Sequence, residues 1–575
     1  MYKIGLIGGA DEIGRSMIYI EYNKTAIVVD CGMEFPDDLS MFGVNRIVSY
    51  GSYIKNNLSK VKGLFITHMH EDHIGGIRRF LEKFNVPIYA ESLTCEFLKL
   101  KHTFKESTPL IPIKNNEIIQ IGPMTIRPFE VEHSTIKAFG YEIMSKYGNI
   151  VLTGDFKLGN SLADTMENIK KWGIKESPLA LLVESTNANK DGFCLHESDI
   201  IDNIETLVRK HKDDLLVIST FASNMTRLKN IIDVAQKNNQ DIFVIGRNME
   251  IAISFLIQQE LVSKSRINFL NDDSKGSVPD NALILSTGCQ GEPQGGLYKL
   301  MEKLKDKENK YVLFSSSVIP GNERSVNNLK ISLLKNNFKY IEGSDLYHTS
   351  GHGRKEEIKC LITSLKPKYV IPVHGDYIQQ VANKENAITC GIEENNIILA
   401  ENNSVLKLKK DKYEVDNIID GLEYITNNGI VKESLIETKK VMARNGVFIY
   451  SINGRYIKYS SIGIPDNCKL NRIGRTFVQT FLQSFNGSTV DKRHFKEECE
   501  AYLIEELKNE NNLPHIEVVM VENKIKSTNK KTQPKKSDKK KIKTDVKTKT
   551  DVKRKSDVKR KSNNKRKKDD KTKDR

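Results

Sequence analysis

The sequence predicts an α/β protein in which one alternating unit is inserted into another, followed by a small α+β piece and a coreless tail. Three observations predict this. Short apolar runs alternate with helical stretches over residues 1 to about 190 and again from about 190 to 350, the pattern of sheets covered by helices. The cluster His68-Met69-His70-Glu71-Asp72-His73 closes one such run, and a similar run, Tyr369 to Val373, meets His374 only after the intervening unit. Composition then changes abruptly near residue 524.

In the first unit, Ile4 to Ile7, Ile18 to Glu21, Ala26 to Asp30, Val61 to Thr67 and Ile150 to Thr153 are the clearest strands. The run Val61 to Ile66 before a tight polar turn reads as a buried strand, and Ile74-Gly75-Gly76 turns into a helix from Ile77. His68, His70, Asp72 and His73 therefore project from one rigid corner. With only 12 histidines in 575 residues, that concentration points to metal binding over an incidental polar turn. Asp30 and Asp155 end two further runs and are placed to join the cluster. Asp30 alone reads equally well as a turn-capping Asp; Asp155, in Thr153-Gly154-Asp155-Phe156-Lys157 after His133, reads as a ligand.

In the second unit, Leu215 to Thr220, Ile242 to Ile245, Leu283 to Ser286 and Val312 to Ser315 predict a parallel sheet. Three of these strands run into polar loops: Phe221-Ala222-Ser223-Asn224, Thr287 to Pro293, and Ser315 to Glu323. Ligands bind at such strand C-termini in α/β sheets. The resulting division is 1–190 for the first part of the metal-binding domain, 191–352 for the insertion, and 353–445 for its second part and a connector. Residues 446–523 form a C-terminal α+β domain, and 524–575 a disordered Lys-rich tail.

The formal net charge of +15 belongs to that tail. Lys524 to Arg575 holds 25 Lys+Arg against 7 Asp+Glu, leaving 64 against 67 elsewhere. The tail has few aliphatic residues and no aromatic one, so it predicts disorder and weak, sequence-independent binding to phosphate backbones. The eight cysteines are scattered singly, which argues against disulfides and a thiolate zinc site and fits a reducing cytosol. The N-terminal apolar stretch is too short for a membrane span and lacks the features of a signal peptide. A cytoplasmic protein without a membrane partner is expected.

The His-x-His-x-Asp-His stretch resembles the signature of the metallo-β-lactamase fold. With it, His68, His70, Asp72, His73, His133, Asp155 and His374 form the candidate ligand set. Seven N/O ligands suit two ions, and imidazole with carboxylate suits Zn²⁺, with Mn²⁺ as the alternative. The expected layout puts His68, His70 and His133 on one ion and Asp72, His73 and His374 on the other, with Asp155 bridging. Asp30 would orient a ligand histidine.

A metallo-β-lactamase core with a large α/β insertion before its last histidine resembles the β-CASP nucleases, and within them the ribonuclease J family. The resemblance rests on Gly8 to Met17, His68 to His73, Glu132-His133-Ser134, Thr153 to Lys157, Glu184 to Ala188, Phe221 to Asn224, Thr287 to Pro293, Pro320 to Glu323, His348 to Gly353 and Pro372 to Asp376. It implies an αββα sandwich with an inserted β-CASP domain. It also implies a zinc-dependent ribonuclease with 5′-to-3′ exonuclease and endonuclease activity in RNA maturation and decay. Asp72, Glu184 and His352 are the implied catalytic residues, His352 donating to the leaving 3′-oxygen. Ser223, Asn224, His348, Thr349, Ser350, Gly351 and His352 are the implied substrate-binding residues. The implied partners are single-stranded 5′-monophosphorylated RNA, a homodimer or tetramer, and RNA-degradation or ribosome-associated proteins. Asn248, Cys289, Asp11 and Arg15 depart from the family's usual residues without removing a ligand. Another β-CASP nuclease, acting on DNA or on RNA 3′ ends, and a small-molecule metallo-hydrolase are the competing readings.

Overall fold

The computed structural model describes residues 1–36, 41, 43–102, 104, 108–270, 278–343, 345–418, 421–466, 468–507 and 513–521. The Lys-rich tail lies outside the described residues. Two sheets face each other. One has eight strands, in the order Tyr413–Asn417, Ser404–Leu408, Tyr2–Gly8, Met17–Tyr22, Thr25–Val29, Val61–Phe65, Ile88–Glu91 and Leu110–Ile113. The other has six: Tyr369–Val373, Ala180–Glu184, Gly148–Leu152, Ala138–Ser145, Met124–Val131 and Ile119–Ile121. Alternation sends Tyr2, Ile4 and Leu6 of one and Ile126, Tyr141 and Ile150 of the other into a shared core. The opposite face of the six-stranded sheet, with Val151, Leu181 and Val370, is covered by Ile169, Ile358 and Leu361 from flanking helices. Tyr19, Val28 and Leu64 on the far side of the eight-stranded sheet pack against Ile77, Phe80 and Leu98 in the same way. This is the expected αββα sandwich.

The chain leaves the sandwich after Ala180–Glu184 and returns as Tyr369–Val373, which pairs in parallel with that same strand. Ser404–Leu408 then pairs antiparallel with Tyr2–Gly8. The inserted sheet is parallel throughout, in the order Ile267–Phe269, Ile242–Ile245, Leu283–Ser286, Leu215–Ser219, Lys310–Phe314 and Phe338–Ile341. Its four apolar central strands are the predicted ones. The two edge strands escape the pattern because they are short and only partly buried.

In the C-terminal piece, Val447–Asn453 pairs antiparallel with Tyr456–Ile462 and parallel with His515–Met520. Its core joins Phe448 and Tyr450 to Phe477, Phe481 and Phe495 from helices Lys469–Ser484 and Lys492–Leu507.

Candidate metal centre

The candidate residues come together because the sandwich ends its strands at one rim. Asp30 follows Thr25–Val29, His68 and His70 follow Val61–Phe65, and His133 follows Met124–Val131. Asp155 follows Gly148–Leu152, Glu184 ends its strand, and His374 follows Tyr369–Val373. The strand predicted to run to Thr67 stops at Phe65. The Thr67 N–H donates to Asp30 Oδ1 at 2.8 Å, outside the ladder. Asp30 and His374 hold left-handed backbone, φ 60° and 52°. Such conformations are costly for non-glycine residues and persist where the surroundings fix them.

Each of the five histidines has one ring nitrogen engaged away from the centre, and this assigns the nitrogen that faces inward. His68 Nδ1 lies 3.0 Å from Thr67 Oγ1, His73 Nδ1 2.8 Å from Asp30 Oδ2, and His133 Nδ1 2.7 Å from the Gly351 carbonyl. His374 Nδ1 lies 3.0 Å from Thr186 Oγ1, and His70 Nε2 3.2 Å from the Ser223 carbonyl. The free nitrogens then converge in two groups, His68/His70/His133 and Asp72/His73/Asp155/His374. His70 Nδ1 is 3.1 Å from His133 Nε2, and His73 Nε2 is 3.3 Å from His374 Nε2. Asp155 Oδ2 lies between the groups, 3.2 Å from His73, 3.7 Å from His68 and 3.8 Å from His133.

Facing lone pairs at these separations repel unless a cation sits among them. Among the described residues, the buried His68 Nε2 and Asp155 Oδ2 have no hydrogen-bond partner, a costly state without a further ligand. Burial, reinforced by neighbouring rings, pushes the His68 imidazolium well below its ordinary pKa, and burial does the same to His133. Burial raises the Asp155 carboxyl, but the His374 and His73 rings outweigh it and hold the group well below the carboxylate range. Burial lowers His73 and His374 too, but Asp155 and Asp72 outweigh it and raise both; neutral imidazole and ionised carboxylate are the forms that bind metal, so ions seated there would displace the protons of these two rings. The donor set fits metal ions, and all of it is nitrogen and oxygen.

A second constellation adjoins the first. His352 Nδ1 donates to Glu184 Oε2 at 2.8 Å, while Glu184 Oε1 accepts the Phe156 N–H at 2.9 Å. Burial pulls the His352 imidazolium down, but Glu184, with Asp155 and Asp72 beyond, raises it to about 9. Asn187 Nδ2 donates to Ser350 Oγ at 2.9 Å and to the His352 carbonyl at 3.0 Å, fixing the loop. Burial lowers His348 to about 3, and its Nδ1 has no hydrogen-bond partner among the described residues.

Two expected substrate residues are engaged locally. Asn224 caps helix Met225–Lys237 by accepting the Arg227 N–H, and the buried Thr349 donates to the Leu195 carbonyl at 3.0 Å. Ser223 is exposed beside His70, and Ser350 is half-buried beside His352. The sequence reading missed Thr186, Asn187 and Arg227. Arg227 is fully buried, ion-paired with Glu197, and donates to the Tyr347 carbonyl at 3.0 Å, next to His348. A lone basic residue in an amphipathic helix carries no sequence signal for that role.

Gly351 offers a direct check on this architecture. A Cβ there would lie 2.8 Å from both Cε1 and Nδ1 of the His133 ring. Gly351→Ala must displace His133 or the loop, and we expect a tenfold to hundredfold loss of metal affinity, as for other groups that orient ligands. Competition with a chelating indicator measures it; an unchanged affinity would contradict the placement of His133.

Comparison with known proteins agrees with these features. Residues 10–219 match the metallo-beta-lactamase superfamily, and 213–333 match "Ribonuclease J, beta-CASP domain". Residues 344–394 match "Zn-dependent metallo-hydrolase RNA specificity domain". Ribonuclease J of Helicobacter pylori (strain ATCC 700392 / 26695) is 33% identical over 471 residues, covering 78% of this chain and 67% of that protein. Ribonuclease J 1 of Streptococcus pyogenes serotype M3 is 32% identical over 457 residues, covering 77% and 81%. A crystal structure of a protein of unknown function from Enterococcus faecalis V583 shares the fold. It superposes with a TM-score of 0.50 at 14% identity, over 71% of this chain and all of that one. With two relatives more than 30% identical over two thirds or more of their length, and a sandwich interrupted by a parallel α/β insertion, the chain belongs to the ribonuclease J family.

Proposed function

We propose that this chain hydrolyses RNA from a 5′-monophosphorylated end, one nucleotide at a time, and also cuts within a strand threaded past the same centre. The chain is a metal-dependent ribonuclease; the direction, end preference, metal identity and residue roles are the proposal. The observation that carries it is the convergence of seven metal-type donors around an unpartnered Asp155 oxygen, beside a Glu184–His352 pair. His68, His70 and His133 would hold one ion and Asp72, His73 and His374 the other, with Asp155 between them. Zn²⁺ suits this set, with Mn²⁺ as the alternative. Ions bound there supply the positive charge that activates water and stabilises the attacked phosphate.

The chain's own groups do the rest. Asp30, Thr186, Gly351 and Ser223 fix the rings, so the centre needs little reorganisation on reaction. His352, kept protonated by Glu184, gives its proton to the departing 3′-oxygen, leaving a 3′-hydroxyl upstream and a 5′-phosphate downstream. Ser223, Ser350 and the unpartnered His348 Nδ1 offer polar groups for the 5′-terminal nucleotide. Asn224 and Thr349 support that pocket through their local hydrogen bonds. We further assign residues 1–190 and 353–445 to the metal-binding domain, 191–352 to the β-CASP domain, and 446–523 to a dimerising C-terminal domain. The tail from 524 serves as a weak RNA or partner tether. Among the described residues no helix is long and apolar enough to cross a membrane; action in the cytoplasm, alone or with RNA-degradation or ribosome-associated proteins, fits this reading.

The test is an assay on RNA with a defined 5′ end. Monophosphorylated RNA should yield mononucleotides, triphosphorylated RNA should resist exonucleolytic attack, and a chelator should stop both modes. RNA cleavage that persists in excess chelator would overturn the metal assignment.

A further inference from the structure

The centre is asymmetric. The polar loops attach to its His70–His133 side, through the Ser223 and Gly351 carbonyls. The other side, carrying Asp72 and His374, is framed by three short segments. The His374 N–H donates to the Gly9 carbonyl at 2.8 Å, and Gln380 Nε2 to the Ala10 carbonyl at 2.8 Å, tying the loop after Tyr2–Gly8 to the start of helix Tyr377–Thr389. The Ser16 N–H donates to the Asp72 carbonyl at 2.9 Å, and the Met33 N–H to the Glu71 carbonyl at 3.0 Å. Gly14 approaches Glu34 closely enough that a Cβ on it would lie 3.3 Å from the Glu34 Cβ.

These three segments carry an unusual concentration of exposed apolar side chains. Phe35 is 64% exposed, Tyr377 63%, Ile378 72% and Ile13 46%. Tyr377 lies three residues beyond His374, and Phe35 two beyond Met33. Isolated exposed apolar residues are ordinary. Here four lie on segments that are hydrogen-bonded to one another and to two candidate ligands. A folded chain keeps two aromatic rings in water there only against the hydrophobic effect.

We propose that Phe35 and Tyr377 are a stacking platform for the bases downstream of the scissile phosphate, with Ile13 and Ile378 as its apolar border. This inference rests on the ribonuclease reading and assigns the strand a direction across the site. The nucleotide that leaves with a 3′-hydroxyl occupies the polar pocket beside Ser223 and His348, and the strand that keeps the 5′-phosphate runs over the loop after Tyr2–Gly8 and the start of helix Tyr377–Thr389. Aromatic faces accept any base, so the platform grips single-stranded RNA without reading sequence. A duplex cannot splay its bases onto the rings, and the platform thereby selects for single strands.

The test uses the full-length protein and a fluorescently labelled, 5′-monophosphorylated ten-nucleotide RNA. Binding is read by anisotropy in chelator, and cleavage separately with metal restored. For the parent protein, removing the bases at the second and third positions should weaken binding about tenfold, while base removal at the 3′ end should cost little. Phe35→Ala with Tyr377→Ala should bind the intact RNA about tenfold more weakly and lose that discrimination; Phe35→Tyr with Tyr377→Phe should restore both. If the parent does not cleave RNA, the ribonuclease reading falls and takes the platform with it. If the parent cleaves RNA but is indifferent to the missing bases, the platform alone falls. It also falls if the double alanine variant binds RNA like the parent while changing oligomeric state, since these rings then form a contact between copies.

Discussion

Asp155→Ala is expected to lower RNA hydrolysis by at least about a thousandfold and to release bound metal from both positions. Asp155 is the shared member of the constellation, with Oδ2 between 3.2 and 3.8 Å from His73, His68 and His133. Removing it takes away one of two carboxylates and leaves Asp72 alone among five imidazoles. Lewis-acid stabilisation is worth several kcal/mol, and each 1.36 kcal/mol is tenfold in rate, which sets the thousandfold floor. Asp155→Asn separates charge from shape, because it keeps an oxygen acceptor but no charge; metal binding should fall nearly as far. Metal per chain after gel filtration, measured alongside turnover, decides the point. A variant retaining parental metal content and parental turnover would sink the assignment. His70→Ala should be milder for metal content, since His68 and His133 remain on that side.

The sequence makes the candidate metal centre legible to the degree that its candidate ligands are local or end recognisable strands. His68, His70, Asp72 and His73 are visible as one cluster, and Asp155 and His374 are visible because each ends an apolar run in a polar turn. What orients those ligands is largely hidden. The partner of His133 is a backbone carbonyl 218 residues away, and the partner of His70 a carbonyl 153 residues away. Main-chain groups have no residue type to recognise. Asn224 shows the opposite limit, because its side chain caps the helix that it begins. An Asn before an amphipathic run signals an N-cap as well as it signals a ligand. The sandwich and the four central strands of the insertion are legible because their strands are continuously apolar, while the short, partly buried edge strands lack that contrast.

The second large effect concerns the proton given to the leaving oxygen. His352→Ala should lower exonucleolytic turnover on RNA by about two to four orders of magnitude, the usual range for a lost general acid, while leaving metal content intact. Glu184→Gln keeps the shape of the pair and removes its charge. The His352 imidazolium, raised to about 9 mainly by Glu184 against an opposing burial effect, then drops. The sign follows directly. If His352 is the acid, its protonated form is the active one, and activity present below its pKa is lost as pH rises through it. The parent should therefore show an alkaline limb, and Glu184→Gln should move that limb to lower pH and deprive the enzyme of acid near neutrality. Cations seated beside Asp155 lower the value in both proteins, which displaces each limb without reversing their order. A substrate with a sulfur in place of the scissile 3′-oxygen needs no proton on departure, so both variants should recover most of their lost rate on it. If Glu184→Gln leaves the pH profile in place, or if the sulfur linkage brings no recovery, His352 is not the acid and the pair serves only to hold the loop against His133.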